Sequence, residues 1–161
     1  MIILSKLSGE WNNEGIEFYE NGQYPEALKC YEKALELDKN FVQALNNKGN
    51  VLRVLGRYDE SLESFDTAIL KEPKNAELWV NKGAVYYEMD DYNQAIECYD
   101  EALKIEPKNT NALSNKGAAL ANSGDLDSGM ECFNEALKID PLDVNAHINR
   151  DKLKDFMDNT T

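Results

Sequence analysis

The chain has 161 residues, a net charge of −13 and a pI of about 4.5. Acidity of that size excludes a binder of nucleic-acid backbone, which needs a basic face, and repels anionic membranes. Hydrophobic content of 42% and charged content of 29% are those of an ordinary folded protein, and no apolar run approaches the ~18 residues of a membrane span.

Residues 1–7 stand ahead of the regular pattern and read as an extra turn or loose end over the first helix. The other reading is the tail of a preceding unit, with Met1 and Ile3 aligned to Leu103 and Ile105. The segment is too short for a signal peptide and lacks its basic leading part. Three cysteines, an odd number, suit a reducing compartment, so a cytoplasmic protein is expected.

From Ser8 onward the chain repeats. Gly15, Gly49, Gly83 and Gly117 are 34 residues apart, and the last three share an Asn-Lys-Gly tripeptide. A fixed period of this length marks stacked helical units. The first unit, 8–41, carries Trp11, Gly15 and Phe18 on one helical stripe, breaks at Asn21-Gly22, and resumes with Tyr24, Pro25, Ala27, Leu28, Tyr31 and Ala34. The second, 42–75, repeats this with Leu45, Gly49 and Leu52, a break at Gly56, then Tyr58, Leu62, Phe65 and Ala68 before Pro73. The third, 76–109, has Trp79, Gly83, Tyr86, Asp90 at the break, Tyr92, Ala95, Tyr99, Ala102 and Pro107. The fourth, 110–143, has Leu113, Gly117, Gly124, Leu126, Gly129, Phe133, Ala136 and Pro141. Asp59, Asn93 and Asp127 are placed as N-caps of the second helices. Residues 144–157 predict one further helix, with Ile148, Leu153 and Phe156 covering the last unit, and 158–161 predict a disordered tail.

These columns resemble the tetratricopeptide repeat family over about residues 8–157. The match runs through Trp11, Leu45, Trp79 and Leu113, the glycines, the small residues Ala27, Ser61, Ala95 and Gly129, the aromatics Tyr31, Phe65, Tyr99 and Phe133, and the closing prolines. The resemblance implies an all-α fold: a right-handed superhelix, or α-solenoid, of four helix-turn-helix repeats plus a C-terminal capping helix. It also implies first helices lining a concave groove that holds a partner's extended peptide or helix. Glu14, Lys39, Asp90, Leu126 and Gly129 depart from the pattern, so repeats one and four are expected to be the weaker ones. Close helix crossings need small side chains, so each glycine of the column is expected to cross the small residue opening the second helix of its unit.

Charge is segregated. Of 30 acidic residues, 20 fall in the second-helix segments 22–39, 56–73, 90–107 and 124–141. The first-helix segments are rich in amides instead: Asn13, Asn47, Asn81, Asn115 and Asn149 recur at the repeat length, beside Asn12, Asn46, Asn50 and Asn111. Tyr19, Arg53 and Tyr87 follow one or two turns on. An amide both donates and accepts, so it bonds a peptide backbone whatever its side chains. The candidate peptide-binding residues are therefore Asn13, Asn46, Asn47, Asn50, Arg53, Asn81, Tyr87, Asn111 and Asn115; the competing reading is that the amides tie repeat to repeat. The family's carboxylate-clamping members add cations at places matched here by Asn46, Asn111 and Asn115, so that clamp is not expected.

No constellation for catalysis emerges. Cys30, Cys98 and Cys132 share one repeat position and read as small half-buried packing residues. His147 aligns with Trp11 and Trp79 and reads as packed, and Lys48, Lys82 and Lys116 read as flanking salt-bridge or snorkelling residues. No cofactor and no metal are expected. The function read here is a non-catalytic scaffold with a protein or peptide partner, monomeric or weakly self-associating. The alternative is a structural self-assembling element, stacking through apolar residues 2–4 and the open first repeat, or swapping its last helix.

Overall fold

The computed structural model describes residues 6–160, with the backbone alone at Thr160. Residues 1–5, on which stacking through residues 2–4 and the Met1 and Ile3 alignment depend, lie outside the described residues. Among those described there are nine α-helices and no strand. The chain divides into two compact units, the first ending at Lys74 and the second starting at Asn75.

Unit 1 holds α1 (Ser8–Glu20), α2 (Tyr24–Leu37), α3 (Val42–Val54) and α4 (Tyr58–Lys71). Helices α1 and α2 pack as a pair, as do α3 and α4; α2 also packs on α3, and α1 touches α3. Its core gathers Ala27, Leu28, Tyr31, Val51 and Leu52, with Ile16, Phe18, Tyr19 and Tyr24 packed against them. Unit 2 holds α5 (Ala76–Glu88), α6 (Tyr92–Ile105), α7 (Thr110–Ser123), α8 (Leu126–Ile139) and α9 (Val144–Thr160). It repeats the same pairing, with α9 packed on α8 and α7. Leu113, Ala136 and Ala146 join the last repeat to α9.

The glycine column works by close approach. A Cβ on Gly15, Gly49, Gly83 or Gly117 would stand 2.5–2.8 Å from the ring of Tyr31, Phe65, Tyr99 or Phe133 respectively. The ring two turns into the second helix, one turn past the small residue, is thus what the missing side chain makes room for. The expected crossing is present as well: Ser61 Oγ donates to the Gly49 carbonyl at 2.7 Å, and a Cβ on Gly129 would meet the Gly117 carbonyl at 2.8 Å.

Three expectations are corrected. Helices α4, α6 and α8 begin at Tyr58, Tyr92 and Leu126, so Asp59, Asn93 and Asp127 lie in the first turn. The caps are two residues earlier, where Asp91 accepts from the Gln94 N–H and Asp125 from the Ser128 N–H. Helix α9 continues to Thr160, so residues 158–160 are helical and not a disordered tail; the Asn159 amide donates to the Asp155 carbonyl at 2.6 Å. Its buried stripe is Ala146 and Leu153, while Ile148 and Phe156 are exposed. Two residues advance a helix by about 200°, so a face phased on Ala146 leaves Ile148 on the opposite side.

Candidate functional site

In unit 1, Ile16, Tyr19 and Glu20 of α1 face Asn47 and Asn50 of α3 across a cleft of about 320 Å³ floored by Tyr31. In unit 2 the six places three repeats later are Ala118, Ala121 and Asn122 of α7, Asn149 and Lys152 of α9, and Phe133. All six line a cleft of about 370 Å³, with Tyr87, Leu126, Leu153 and Phe156 beside them. The same junction of consecutive first helices therefore opens a cleft in each unit, lined by amides over an aromatic floor. Burial pushes the Tyr31 phenol up to about 12, with Tyr19, Cys30 and Glu20 adding to the shift.

The amides do not all play one role. Asn12 is buried and accepts a 3.0 Å hydrogen bond from the Asn47 side chain, tying repeat one to repeat two. Asn12 is thus closed to a ligand. Asn47 keeps part of its surface and lines the unit-1 cleft, so the tying and the ligand readings both apply to it. Asn13, one position on, is exposed and lies in an acidic depression with Glu10, Glu14 and Glu17, outside the cleft. Asn46, Asn50, Arg53, Asn81 and Asn115 are half-buried, and Asn111 is exposed. Tyr87 accepts a 2.6 Å hydrogen bond from Asn122 at the edge of the unit-2 cleft. Asn122, Lys152 and Phe156 are lining residues that the sequence reading did not select. Register held the signal: they align with Glu20, Asn50 and Val54.

The lysine column joins neighbouring repeats. Lys48 pairs with Glu32 at 3.7 Å and Lys116 with Asp100 at 2.6 Å, each acid standing on the second helix of the preceding repeat. Lys82 stands 5.7 Å from the Trp79 ring centre. In repeat one Glu14 pairs with Lys6, and Lys6 and Lys33 stand 4.2 and 4.1 Å from the Trp11 ring centre. These partly exposed contacts contribute at most about 1 kcal/mol each.

Cys30, Cys98 and Cys132 are buried rather than half-buried, and burial pushes the Cys30 and Cys132 thiols up, away from the reactive thiolate. His147 is half-buried; its Nε2 lies 2.9 Å from the Pro141 carbonyl and its Nδ1 3.4 Å from Arg150. It fastens the start of α9 to the preceding loop. Among the described residues no group of three or more His, Cys, Asp or Glu could hold a metal ion, and no helix is long and apolar enough to cross a membrane.

Family models described as tetratricopeptide repeat match residues 76–109 and 110–143, and a TPR repeat model matches 15–53 and 49–90. The chain belongs to the tetratricopeptide repeat family. No curated protein matches it by sequence. Among solved structures it is similar to MamA (41 to end) from Desulfovibrio magneticus RS-1, at 22% identity and a TM-score of 0.81, over 94% of this chain and 85% of that one. It is similar to YrrB, described as a TPR protein with an unusual peptide-binding site, at 27% identity and a TM-score of 0.70, over 93% and 77%. The first TPR of Spaghetti (RPAP3), bound to an HSP90 peptide, matches at 22% identity and a TM-score of 0.68, over 72% and 92%. The architecture is thus the all-α tetratricopeptide fold, that of a protein-interaction scaffold.

Proposed function

We propose that this tetratricopeptide protein is a non-catalytic scaffold whose first helices hold an extended segment of a partner protein. The observation that carries the reading is the recurrence of one cleft, between consecutive first helices, in each unit. Both clefts pair an aromatic floor with half-buried amides at equivalent places, Asn47 and Asn50 in one and Asn149 in the other. Amides bond an extended backbone through donor and acceptor together, and the apolar floor takes side chains. In unit 1 the contacts fall to Asn47 and Asn50 within the cleft, with Tyr19 adding selectivity there, and to Asn46 and Arg53 of α3 outside its lining. In unit 2 they fall to Tyr87, Asn122 and Asn149 within the cleft, and to Asn81, Asn111 and Asn115 on the first helices outside its lining. Asn13 contributes least, since it faces the carboxylates of its own helix. YrrB and the RPAP3 domain, which bind peptides by their descriptions, lend the reading support. The second helices carry most of the acid and keep the opposite surface solvated.

The test compares the intact chain with an Asn50→Ala/Asn111→Ala/Asn115→Ala variant. Partners captured from the source cells by the intact chain are identified, then titrated against both. Equal helicity with affinity reduced about tenfold or more supports the reading, at roughly 0.5–1.5 kcal/mol per lost hydrogen bond. Unchanged affinity refutes the assignment of these amides.

A further inference from the structure

The two clefts occupy the same register but are furnished differently. In repeat one Tyr19 meets Tyr24 edge-on with ring centres 5.3 Å apart, and in repeat three Tyr87 meets Tyr92 the same way at 5.6 Å. The corresponding places in repeat four hold Ala121 and Leu126. Both of these line the unit-2 cleft. Repeats one and three thus present a tyrosine ring at this place and repeat two Arg53, whereas repeat four lines its cleft with Ala121 and brings no ring to that place. Phe133 closes the bottom and is 1% exposed. Phe156, 55% exposed, stands beside it as an apolar wall without a solvation role.

Charge distinguishes the clefts as well. Among the residues lining the unit-1 cleft, Glu20 is the charged one; among those lining the unit-2 cleft it is Lys152. Lys152 takes the place that Asn50 holds in repeat two, and it is exposed, so its ammonium reaches solvent at the rim. In a chain of net charge −13, a cation beside an apolar opening marks where an anionic group is accepted.

Resting on the reading of the first-helix clefts as ligand sites, we propose that the unit-2 cleft binds an aromatic side chain of a partner's extended segment. That ring sits where the tyrosine of repeat four is missing, and an acidic side chain next to it in the segment pairs with Lys152. An aromatic side chain buries about 150–250 Å² and prefers edge-to-face neighbours, a contact the exposed Phe156 ring offers above the buried Phe133. The lone cation favours a side-chain carboxylate over a chain end, whose capture relies on several converging donors.

The experiment titrates the ¹⁵N-labelled full chain with four peptides. Three are blocked at both ends: acetyl-Gly-Tyr-Glu-Gly-amide, acetyl-Gly-Ala-Glu-Gly-amide and acetyl-Gly-Tyr-Lys-Gly-amide. The fourth, acetyl-Gly-Tyr-Gly, has a free C-terminal carboxylate. The Tyr-Glu peptide should shift the amide resonances of Ala118, Ala121, Asn122 and Lys152, and bind about tenfold tighter than the Ala-Glu and Tyr-Lys peptides. The Ala121→Tyr/Leu126→Tyr variant rebuilds the ring pair of repeats one and three. It should raise the thermal midpoint of unfolding, through the restored edge-to-face ring pair, and weaken Tyr-Glu binding about tenfold. Lys152→Glu should reverse the preference between the Tyr-Glu and Tyr-Lys peptides. The proposal is overturned if the free-carboxylate peptide binds tightest, if the rebuilt ring pair leaves binding unchanged, or if no peptide shifts those resonances. Shifts confined to Asn81, Asn111 and Asn115 would sink this cleft while leaving the broader scaffold reading standing. Titration of captured partners against the amide variant decides that reading independently.

Discussion

Replacing Gly83 by alanine separates the two things a helical glycine does. In a helix interior alanine is favoured over glycine by about 1 kcal/mol, so propensity alone predicts a more stable protein. The structure predicts the opposite sign. A Cβ on Gly83 would stand 2.6 Å from Tyr99 Cε1 and 2.9 Å from Cδ1, against about 3.5–4.0 Å for carbons in contact. The Tyr99 ring has to retreat by roughly 1 Å, and it is 1% exposed, packed among Ala95 and Ala119. Overpacking of this kind costs about 1–3 kcal/mol, which offsets the propensity gain and leaves a net loss of up to about 2 kcal/mol. Gly9→Ala is the control, because a Cβ there meets nothing within 4 Å; it should stabilise by a few tenths up to about 1 kcal/mol. Each unit holds one tryptophan, Trp11 in unit 1 and Trp79 in unit 2. In a Trp11→Phe background, urea unfolding followed by Trp79 fluorescence therefore reads unit 2, and in a Trp79→Phe background it reads unit 1. Adding Tyr99→Leu to Gly83→Ala should recover about 1 kcal/mol of the penalty, since the two sites share one contact. A Gly83→Ala chain with a raised urea midpoint, like that of Gly9→Ala, would refute the close-approach account of the whole column.

Asp90 holds φ at 59°, where the other repeats use Gly22, Gly56 and Gly124. Asp90→Gly should therefore raise the unfolding midpoint by roughly 0.5–1 kcal/mol equivalent. The same change should bring the Tyr92 phenol, raised chiefly by its hydrogen bond to Asp90, back toward its ordinary value in a spectrophotometric titration. Asn47→Ala leaves the buried Asn12 amide without the donor it accepts from, so it should cost about 1–3 kcal/mol in urea unfolding. Asn13→Ala, on the exposed face of the same helix, should stay within about 0.5 kcal/mol of the intact chain. Tyr31, ordinarily at 10.0 and here at about 12, makes stability fall in strong alkali. Below pH 10 the phenol is protonated folded and unfolded; above it the unfolded chain ionises first, and stability drops by up to about 1.4 kcal/mol per pH unit until the folded phenol also ionises near 12. Tyr31→Phe should flatten that part of the pH profile measured by thermal unfolding.

The 34-residue period made the fold legible because it reports packing directly. Every position of the stripe read as apolar in one repeat is apolar or small in the others, and helices α1–α8 fall where the columns place them. Asn12 and Asn13 were not separable in the same way. They are neighbours of one residue type, about 100° apart around the helix, and only the packed partner decides which is buried against Asn47. The paired cap candidates at the starts of α6 and α8 posed the same difficulty: Asp91 and Asn93, or Asp125 and Asp127, all suit a cap, and the choice rests on which backbone N–H each reaches.

The unit-2 cleft was hidden for a different reason. Columns of like residues draw attention to what repeats, whereas this cleft consists of exceptions: Ala121 for tyrosine or arginine, Leu126 for tyrosine, Lys152 for an amide, alanine or isoleucine, and Phe156 for an acid, an amide or valine. Each departure alone reads as tolerance in a terminal repeat. Their convergence on one opening is a property of the stack, because positions 31 and 35 residues apart become neighbours only when α9 lies on α7. Repeat four supplies alanine and leucine at 121 and 126, α9 brings Phe156 and Lys152 to the same opening, and the cleft remains open.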